Sequence, residues 1–226
     1  MKLLIDSADI RKIKKIYDLY PIDGVTTNPS ILAKCKRPPF EALREIRAFI
    51  GEEAELHVQV LSTTSDDMVK EGKYITEVLG RSTYIKIPSI PEGFRAMRIL
   101  KSEGYNITAT SIYTPMQAYL AAKSGADYVA PYINRIDNLG VNGIVVARTI
   151  QDILSKGHYK CQVLAASFKN SLQVQEFCEY GVAASTVDPD VIEGFTKNAC
   201  VNAAVEDFVH DFEALGGKGK TMLDFK

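Results

Sequence analysis

Tyr84-Ile85-Lys86-Ile87-Pro88 is a short apolar run with one charged residue at its centre, and the prediction of the fold starts from this run. A run this short, rich in isoleucine and closed by proline, predicts a strand. Near-continuous apolar character is typical of strands buried on both faces in a parallel sheet. Lys86 is then either a buried amine or an edge-strand residue that stays in water and blocks edge pairing. The run alone leaves both interpretations open.

Runs of the same kind occur on both sides of this one and alternate with amphipathic segments. Within residues 8–20, apolar side chains recur at helical spacing, namely Ile10, Ile13, Ile16, Tyr17 and Tyr20. The predicted strands are 3–7, 24–28, 56–61, 84–88, 106–110, 128–132, 162–167 and 184–187. Eight strand–helix repeats with short connections predict an α/β fold of the (β/α)8 TIM barrel type.

Start and stop signals flank the helical segments. Ser7 precedes the first segment, and Thr64-Ser65-Asp66-Asp67 precedes a later one. Glycines that suit helix ends follow four segments, at Gly80, Gly104, Gly125 and Gly181. An additional amphipathic C-terminal helix, at about 199–215, is expected to cover the barrel or to pack on a neighbouring subunit. Because no composition break divides the chain, we expect a single domain over residues 1–226.

Bulk composition excludes several classes of partner. The formal net charge is -1, so the chain has no general attraction for nucleic acid or for an anionic membrane surface. Its longest apolar stretches are strand-sized, which is too short for a membrane span. The first residues are charged too early for a signal peptide, and the four cysteines show no CxxC spacing. We therefore expect a cytoplasmic protein with no nucleic-acid or membrane partner.

The histidines and cysteines form no metal-site pattern. His57, His158 and His210 are far apart, and neither HExxH nor a Cys/His cluster occurs. His57 could point into a site by its strand register, although packing is the more common role of an isolated buried histidine. The sequence therefore predicts no metal site.

Polar residues gather at the carboxyl ends of the predicted strands, which is where such barrels carry their chemistry. Strand residues two apart share a face, so Thr26 with Asn28, and Thr108 with Thr110, can point together into the barrel. Each has an ordinary alternative, such as helix capping by Asn28. Together they predict an active site. Its other members are Asp6, Gln59, Lys86, Tyr132, Asn134, Arg135, Ser167 and Lys169.

A lysine inside such a site has a distinct chemical use. Burial disfavours the charged ammonium form of a lysine and lowers its pKa. A neutral amine can attack a carbonyl carbon and form a Schiff base. The surrounding polar residues therefore favour the buried, nucleophilic interpretation of Lys86 over the edge-strand one.

Several segments together resemble the transaldolase family, in the short single-barrel branch that includes the fructose-6-phosphate aldolases. They are Asp6 and residues 24–30, 85–88, 130–137 and 165–169, and the resemblance covers essentially the whole chain. It implies that Lys86 forms the Schiff base, that Asp6 is a general acid/base and that Asn28 positions the sugar. Arg135 and Ser167 would hold the substrate phosphate, since a guanidinium supplies a planar fork for its oxygens. The alternative for Arg135 is a surface salt bridge, for example with Asp137.

Two positions separate the subfamilies within this resemblance. Classical transaldolases typically have glutamate at the position of Gln59 and phenylalanine at that of Tyr132, so both residues here match the aldolase branch. The resemblance implies a water held by Gln59, Thr110 and Tyr132, with the tyrosine hydroxyl helping to protonate the enamine. Thr26 and Thr108 are expected to contact substrate. Thr108 lies where many transaldolases have asparagine, and it should alter donor fit more than reaction class.

The resemblance implies a class I aldolase that needs no metal or organic cofactor. It would reversibly cleave fructose 6-phosphate to dihydroxyacetone and glyceraldehyde 3-phosphate. The first alternative is a transaldolase that passes dihydroxyacetone to erythrose 4-phosphate. Less favoured are a non-catalytic sugar-phosphate-binding barrel and another Schiff-base aldolase, such as a deoxyribose-phosphate type. The expected partners are sugar phosphates, dihydroxyacetone and further copies of the chain, which would form a homo-oligomer, possibly a decamer.

Overall fold

The strands confirm the (β/α)8 barrel. The computed structural model describes residues 1–225, and its parallel strands close in sequence order, with the last pairing back on the first. They are β1 Lys2–Asp6, β2 Gly24–Thr26, β3 Glu55–Gln59, β4 Tyr84–Pro88, β5 Asn106–Ile112, β6 Tyr128–Pro131, β7 Gln162–Ala165 and β8 Ala184–Val187. A closed barrel has no free strand edge, so every strand side is paired.

Helices alternate with these strands and continue after the last one. They are α1 Ile10–Leu19, α2 Pro29–Lys34, α3 Pro39–Ile50, α4 Ser65–Leu79, α5 Pro91–Ser102, α6 Pro115–Lys123, α7 Ile133–Asp137, α8 Gly143–Lys156, α9 Ser171–Tyr180, α10 Pro189–Glu193 and α11 Ala199–Gly216. A short 3₁₀ helix spans Met222–Asp224. The extra C-terminal helix is thus confirmed as α11.

The chain divides into two compact units. The first, Met1–Ile192, contains all eight strands, and the second begins at Glu193 and contains α11. The prediction of a single domain over residues 1–226 stays a prediction.

Capping side chains explain where α1 and α4 begin. The prediction that Ser7 starts α1 is wrong by two residues, because Asp9 is the N-cap and its carboxylate accepts the Arg11 N–H. The Ser7 hydroxyl instead accepts the Asp9 N–H and so fixes the turn that follows β1. The start signal before α4 is confirmed, since the Thr64 side chain accepts the Asp67 N–H.

The φ angles of the glycines confirm the predicted helix ends. The four glycines named above, Gly80, Gly104, Gly125 and Gly181, all have positive φ. At the end of α9, Gly181 has φ 83° and donates its N–H to Phe177 O, which satisfies a carbonyl that the helix would otherwise leave unpaired.

The barrel separates an apolar outer layer from a polar interior. Ile85 and Ile87 point outward beneath the helices and are fully buried, whereas Lys86 between them points inward. Strand register then decides which polar side chains share a layer inside the barrel. Gln59 pairs with Lys86, and Lys86 pairs with Thr108.

Candidate active site

Lys86 is a buried lysine in the interior of a closed barrel. Its side chain lies in the middle of β4, the residue is 4% exposed, and Nζ donates a hydrogen bond to Thr27 O at 2.9 Å. The edge-strand interpretation is therefore wrong, because β4 is paired with β3 on one side and β5 on the other. The amine points toward the carboxyl ends of the strands, where β2 turns into α2.

Asp6 is held at the end of β1 by a pair of threonines. Its Oδ1 accepts a hydrogen bond from Thr26 Oγ1 at 2.7 Å, and Thr26 Oγ1 lies 2.7 Å from Thr186 Oγ1. Because a hydroxyl has one hydrogen, Thr186 donates to Thr26 whenever Thr26 donates to the carboxylate. This chain of donors fixes the orientation of the Asp6 carboxyl group.

The electrostatic setting of Asp6 favours its protonated form. Burial raises the pKa of Asp6 above its ordinary value, and the positive charge of Lys86 and the Thr26 hydrogen bond oppose that rise. The negative charge of Asp188 raises this pKa further, and the positive charge of Arg135 lowers it. A carboxyl group whose pKa is raised by burial, and which feels the charge of an amine, is suited to exchanging protons with a substrate bound to that amine.

The eighth strand and the segment after it contribute two residues that were not among the predicted site residues. Thr186 in β8 reaches Asp6 through Thr26, and Asp188 follows two residues later, just past the end of β8. The register pairs Ile5 with Val187, which places Asp188 beside Asp6 at the mouth. The signal was present in the sequence, because Thr186 and Asp188 have the same i, i+2 spacing as Thr26 and Asn28.

Tyr132 and Thr110 meet across β5 and β6. The tyrosine hydroxyl lies 2.6 Å from Thr110 Oγ1. A register shift between Ala109 and Ile112 bends β5 here, and Ser111 in this bulge has φ 58°. The Tyr132 N–H then pairs with Ile112 O rather than with the regular ladder, so the bulge sets where the phenol points.

Arg135 and Ser167 lie in neighbouring segments that follow β6 and β7. The Asn134 N–H donates to Ser167 O at 2.9 Å, which ties α7 to the loop after β7. The Arg135 guanidinium lies 4.6 Å from the Tyr132 ring centroid and is exposed. The alternative salt bridge with Asp137 does not form, because Asp137 accepts hydrogen bonds from the Gly143 N–H and the Gln173 amide.

The contacts of three other predicted site residues are those of Asn28, Gln59 and Thr108. The Asn28 Oδ1 caps α2 by accepting the Ile31 N–H, so the capping alternative is confirmed and the Nδ2 group remains as a donor. The Gln59 Oε1 is buried and accepts no hydrogen bond from residues 1–225. Thr108 is fully buried and contacts His57 instead of facing the mouth.

The predicted residues are therefore brought together in three groups. Hydrogen bonds join Asp6 to Thr26 and Thr110 to Tyr132, and register joins Gln59, Lys86 and Thr108. Asn28, Arg135 and Ser167 are positioned by the segments that follow β2, β6 and β7. The predicted strands 24–28 and 162–167 end too late, because β2 stops at Thr26 and β7 at Ala165. Asn28 is instead a helix cap, and Ser167 has φ 67°.

A cavity of about 540 Å³ opens beside Asp6 at this end of the barrel. Its walls come from the start of α1, from α2 and from the segment after β8, and include Asp188, Ser7, Ile31, Lys34 and Cys35. Three acidic side chains and four basic ones line it, namely Asp6, Asp9 and Asp188 and Arg11, Lys12, Lys34 and Arg37. Lys86, Tyr132 and Arg135 are not part of this lining, so the cavity adjoins the group around Lys86 through Asp6 alone.

Neither a metal-binding cluster nor a membrane-spanning helix occurs within residues 1–225. Among these residues no group of three or more histidine, cysteine, aspartate or glutamate side chains is arranged to hold a metal ion. Within the same range, every helix is too short or too polar to cross a lipid bilayer.

Comparison with known proteins gives the family. The model described as Transaldolase/Fructose-6-phosphate aldolase matches residues 3–224. The chain belongs to this transaldolase/fructose-6-phosphate aldolase family. The resemblance stated from the sequence is thereby confirmed, and the chain belongs to a family of enzymes that comprises aldolases and transaldolases.

Relatives within the transaldolase/fructose-6-phosphate aldolase family carry both names. A probable fructose-6-phosphate aldolase from Streptococcus pneumoniae (strain ATCC 700669 / Spain 23F-1) is 38% identical over 216 residues, which cover 94% of this chain and 96% of the relative. A probable transaldolase from Nitrosopumilus maritimus (strain SCM1) is 36% identical, covering 94% of this chain and 95% of the relative. A probable transaldolase from Hydrogenobaculum sp. (strain Y04AAS1) is 34% identical, covering 96% and 99%. These names agree on the family and differ on the reaction.

Proposed function

We propose that this protein is a Schiff-base class I aldolase that reversibly cleaves fructose 6-phosphate to dihydroxyacetone and glyceraldehyde 3-phosphate. The observation that carries this proposal is the Tyr132 hydroxyl, which lies 2.6 Å from Thr110 Oγ1 at the site that contains Lys86. A phenol held in this way is a proton donor for the three-carbon intermediate, and an aldolase needs such a donor to release its product.

The first half of the reaction uses Lys86 and Asp6. The amine of Lys86 attacks the ketone carbon, and loss of water from the carbinolamine gives an iminium on Nζ. Asp6 exchanges the protons of these steps, since burial raises the pKa of its carboxyl group and lets it hold a proton more readily than an exposed aspartate. Deprotonation of the C4 hydroxyl then breaks the C3–C4 bond, and the electron pair moves into the iminium to give an enamine.

The second half decides between cleavage and transfer. If the enamine carbon is protonated, the resulting iminium hydrolyses and dihydroxyacetone leaves. If it is not, the three-carbon unit waits for an aldehyde acceptor, as in a transaldolase. Thr110 and Tyr132 support the protonation route, and a water between these hydroxyls and Gln59 would find a buried acceptor in Gln59 Oε1.

Substrate binding is proposed to use the two segments that follow β6 and β7. Arg135 is exposed at the mouth and makes no salt bridge with Asp137, so its guanidinium can bind a phosphate. Ser167 lies in the loop that is tied to α7, next to Arg135. Asn28 Nδ2 and Thr26 are proposed to contact the sugar hydroxyls. No metal or organic cofactor is needed for this chemistry.

The experiment that tests the proposal is an assay with fructose 6-phosphate alone, followed by one with erythrose 4-phosphate added. Release of free dihydroxyacetone and glyceraldehyde 3-phosphate without an acceptor is expected of the aldolase. If products form only when the acceptor is present, the chain is a transaldolase, as the names of two of the relatives suggest. Activity that EDTA abolishes and a divalent cation restores would contradict the metal-free mechanism.

Cytoplasmic location and assembly into a homo-oligomer are proposed with this function. The apolar residues that α11 exposes, such as Val205, Phe208 and Val209, suit a contact with another copy of the chain. Light scattering of the purified chain measures its oligomeric state directly, and a monomer at micromolar concentration would contradict the oligomer.

A further inference from the structure

Thr110 and Tyr113 both contact Tyr132, although they are three residues apart in the chain. In a regular strand, residues at this spacing point to opposite faces of the sheet. Ser111, with φ 58°, lies between them in the bulge of β5 and adds one residue to the alternation. Ile112 is then fully buried in the apolar layer, and Tyr113 is turned toward the same partner as Thr110.

The rings of Tyr113 and Tyr132 meet at nearly a right angle. Their centroids lie 5.7 Å apart and their planes make an angle of 87°, so the edge of one ring meets the face of the other. This is one of the arrangements that aromatic pairs prefer. The Tyr132 N–H also donates to Ile112 O, directly beside Tyr113 in the chain. The backbone bond and the ring contact together hold Tyr132 where its hydroxyl meets Thr110 Oγ1.

The backbone of Tyr113 is itself anchored by the start of α6. The side-chain carbonyl of Gln117 accepts the N–H groups of Tyr113 and Thr114, at 2.9 and 3.1 Å. Thr114 caps α6 and forms a capping box with Gln117. Tyr113 therefore lies between the bulge of β5 and this capping box, and both fix the position of its ring.

Arg135 is the other group that lies against the Tyr132 ring. Its guanidinium is 4.6 Å from the ring centroid, but the residue is exposed. In the proposed function this guanidinium binds the substrate phosphate, so it cannot also serve as a constant support for the phenol. Tyr113 is half-buried, and its contact with Tyr132 exists without a bound substrate. The lasting support of the Tyr132 ring is therefore Tyr113.

We propose that Tyr113 is a positioning residue for the proton donor: it packs against the Tyr132 ring, holds the phenol hydroxyl beside Thr110, and so favours protonation of the enamine over transfer to an aldehyde. The inference rests on the proposed function. In that step the enamine carbon takes up a proton that the Tyr132 hydroxyl supplies and that solvent replaces. Tyr113 acts on this step only through the ring of Tyr132.

The test compares two rates with fructose 6-phosphate as donor: release of free dihydroxyacetone without an acceptor, and formation of the transfer product with erythrose 4-phosphate. Tyr113→Leu removes the ring and keeps an apolar side chain. The ratio of release to transfer should fall by about two- to tenfold, as expected for a lost aromatic pair. Tyr113→Phe keeps the ring and should restore most of the ratio. Partial unfolding lowers both rates equally, so it leaves the ratio unchanged.

The matched control is Tyr119→Leu. Tyr119 in α6 makes a similar perpendicular contact with Tyr159, at a centroid distance of 6.0 Å and an angle of 89°. Tyr159 precedes β7 and so lies toward the end of the barrel opposite the active-site mouth. The ratio in Tyr119→Leu should equal that of wild type. An equal fall in Tyr119→Leu and Tyr113→Leu would overturn the proposal, because any lost aromatic pair would then have the same effect.

A double variant tests whether Tyr113 acts through the Tyr132 hydroxyl. In the Tyr132→Phe background, Tyr113→Leu should cause no further fall in dihydroxyacetone release, because the hydroxyl that it positions is already absent. Losses that multiply would overturn the proposal, and so would a wild-type ratio in the single variant Tyr113→Leu. If Tyr113→Leu fails to fold, Tyr113→Met takes its place and the same outcomes apply.

The unmodified chain distinguishes the two levels of inference. If wild type releases no dihydroxyacetone without an acceptor, the proposed aldolase function is wrong, and the role of Tyr113 is refuted with it. If wild type releases dihydroxyacetone and Tyr132→Phe lowers the ratio, but Tyr113→Leu does not, only the role of Tyr113 is refuted.

Discussion

The Tyr132 hydroxyl and Thr110 Oγ1 lie 2.6 Å apart, and this contact exists because β5 does not remain regular up to its end. The bulge around Ser111 shifts the register with β6, and the Tyr132 N–H pairs with Ile112 O. A regular ladder would give the phenol a different position along the strand. The strained backbone of Ser111, at φ 58°, is thus coupled to the placement of the proposed proton donor.

Tyr132→Phe is expected to change the reaction more than the fold. The substitution removes the hydroxyl and little volume, so the thermal midpoint should change little. Loss of a positioned proton donor typically costs about 10²–10⁴-fold, and cleavage of fructose 6-phosphate should fall accordingly. Transfer of dihydroxyacetone to erythrose 4-phosphate needs no such protonation and should fall less, or rise when Gln59→Glu is added. The measurement is the ratio of the two rates in wild type and variant, and an unchanged ratio would identify a transaldolase.

Lys86 is expected to carry the covalent intermediate. Borohydride reduction in the presence of dihydroxyacetone should yield a stable adduct on the peptide that contains Lys86, identified by mass mapping. Lys34, which lines the neighbouring cavity, is the matched control for non-specific amine modification. An adduct on another lysine, or none while turnover persists, contradicts the Schiff-base assignment.

Arg135→Ala is expected to weaken the phosphorylated substrate selectively. Because a hydrogen bond to a charged group is lost, kcat/KM should fall by about tenfold or more for glyceraldehyde 3-phosphate in the synthetic direction. Unphosphorylated glyceraldehyde should be affected little. Similar losses for the two aldehydes would move the phosphate site elsewhere.

Arg47 is expected to stabilise the fold at a place away from the candidate active site. Its guanidinium donates to Leu79 O, Gly51 O and Ala54 O at 2.7–3.1 Å, and also to Thr83 Oγ1, so it joins the end of α3 to the segments that lead into β3 and β4. Arg47→Met should lower the free energy of unfolding by roughly 1.5–3 kcal/mol and leave kcat unchanged. Arg44→Met, at an exposed position of the same helix, is the control. Equal denaturant midpoints for the two variants would show that this cluster does not stabilise the fold.

The barrel, and the gathering of most of the candidate site residues at one end of it, could be predicted because their signals are local. The apolar run around Lys86 has strand length, and Thr26 and Asn28 show the spacing of a shared face. The ends of the strands and helices were harder to predict, because they depend on caps and bulges. Asp9 takes over as the cap that Ser7 was expected to provide, and β5 extends past Thr110 through its bulge.

Contacts between distant strands are what the sequence could not supply. His57 reaches Thr108 only because β3 and β5 lie on either side of β4, and nothing in the local sequence of His57 distinguishes this contact from ordinary packing. Asp188 was missed for a simpler reason, since the predicted eighth strand stops one residue before it. Its place beside Asp6 follows from the pairing of β8 with β1, which only barrel closure creates.

Asp188→Asn is expected to shift the acidic limb of the pH–rate profile to lower pH. The charged groups that act on Asp6 are Lys86, Arg135 and Asp188. Of these, only Asp188 favours the protonated form of Asp6. Asparagine removes that negative charge and keeps the Oδ1 that accepts the Asp190 N–H, so the start of α10 is preserved. The pKa of Asp6 should therefore fall. Since the ionised carboxylate is the form that accepts a proton, activity should persist to lower pH.

The control for this shift is Asp190→Asn, which removes another exposed carboxylate. Asp190 bonds to Lys12 and is not among the charges that act on Asp6. Its acidic limb should coincide with that of wild type. High salt should reduce the Asp188→Asn shift, because Asp188 is exposed and its charge is screened. If the acidic limb stays in place in Asp188→Asn, or moves equally in both variants, then Asp188 does not set the proton affinity of Asp6.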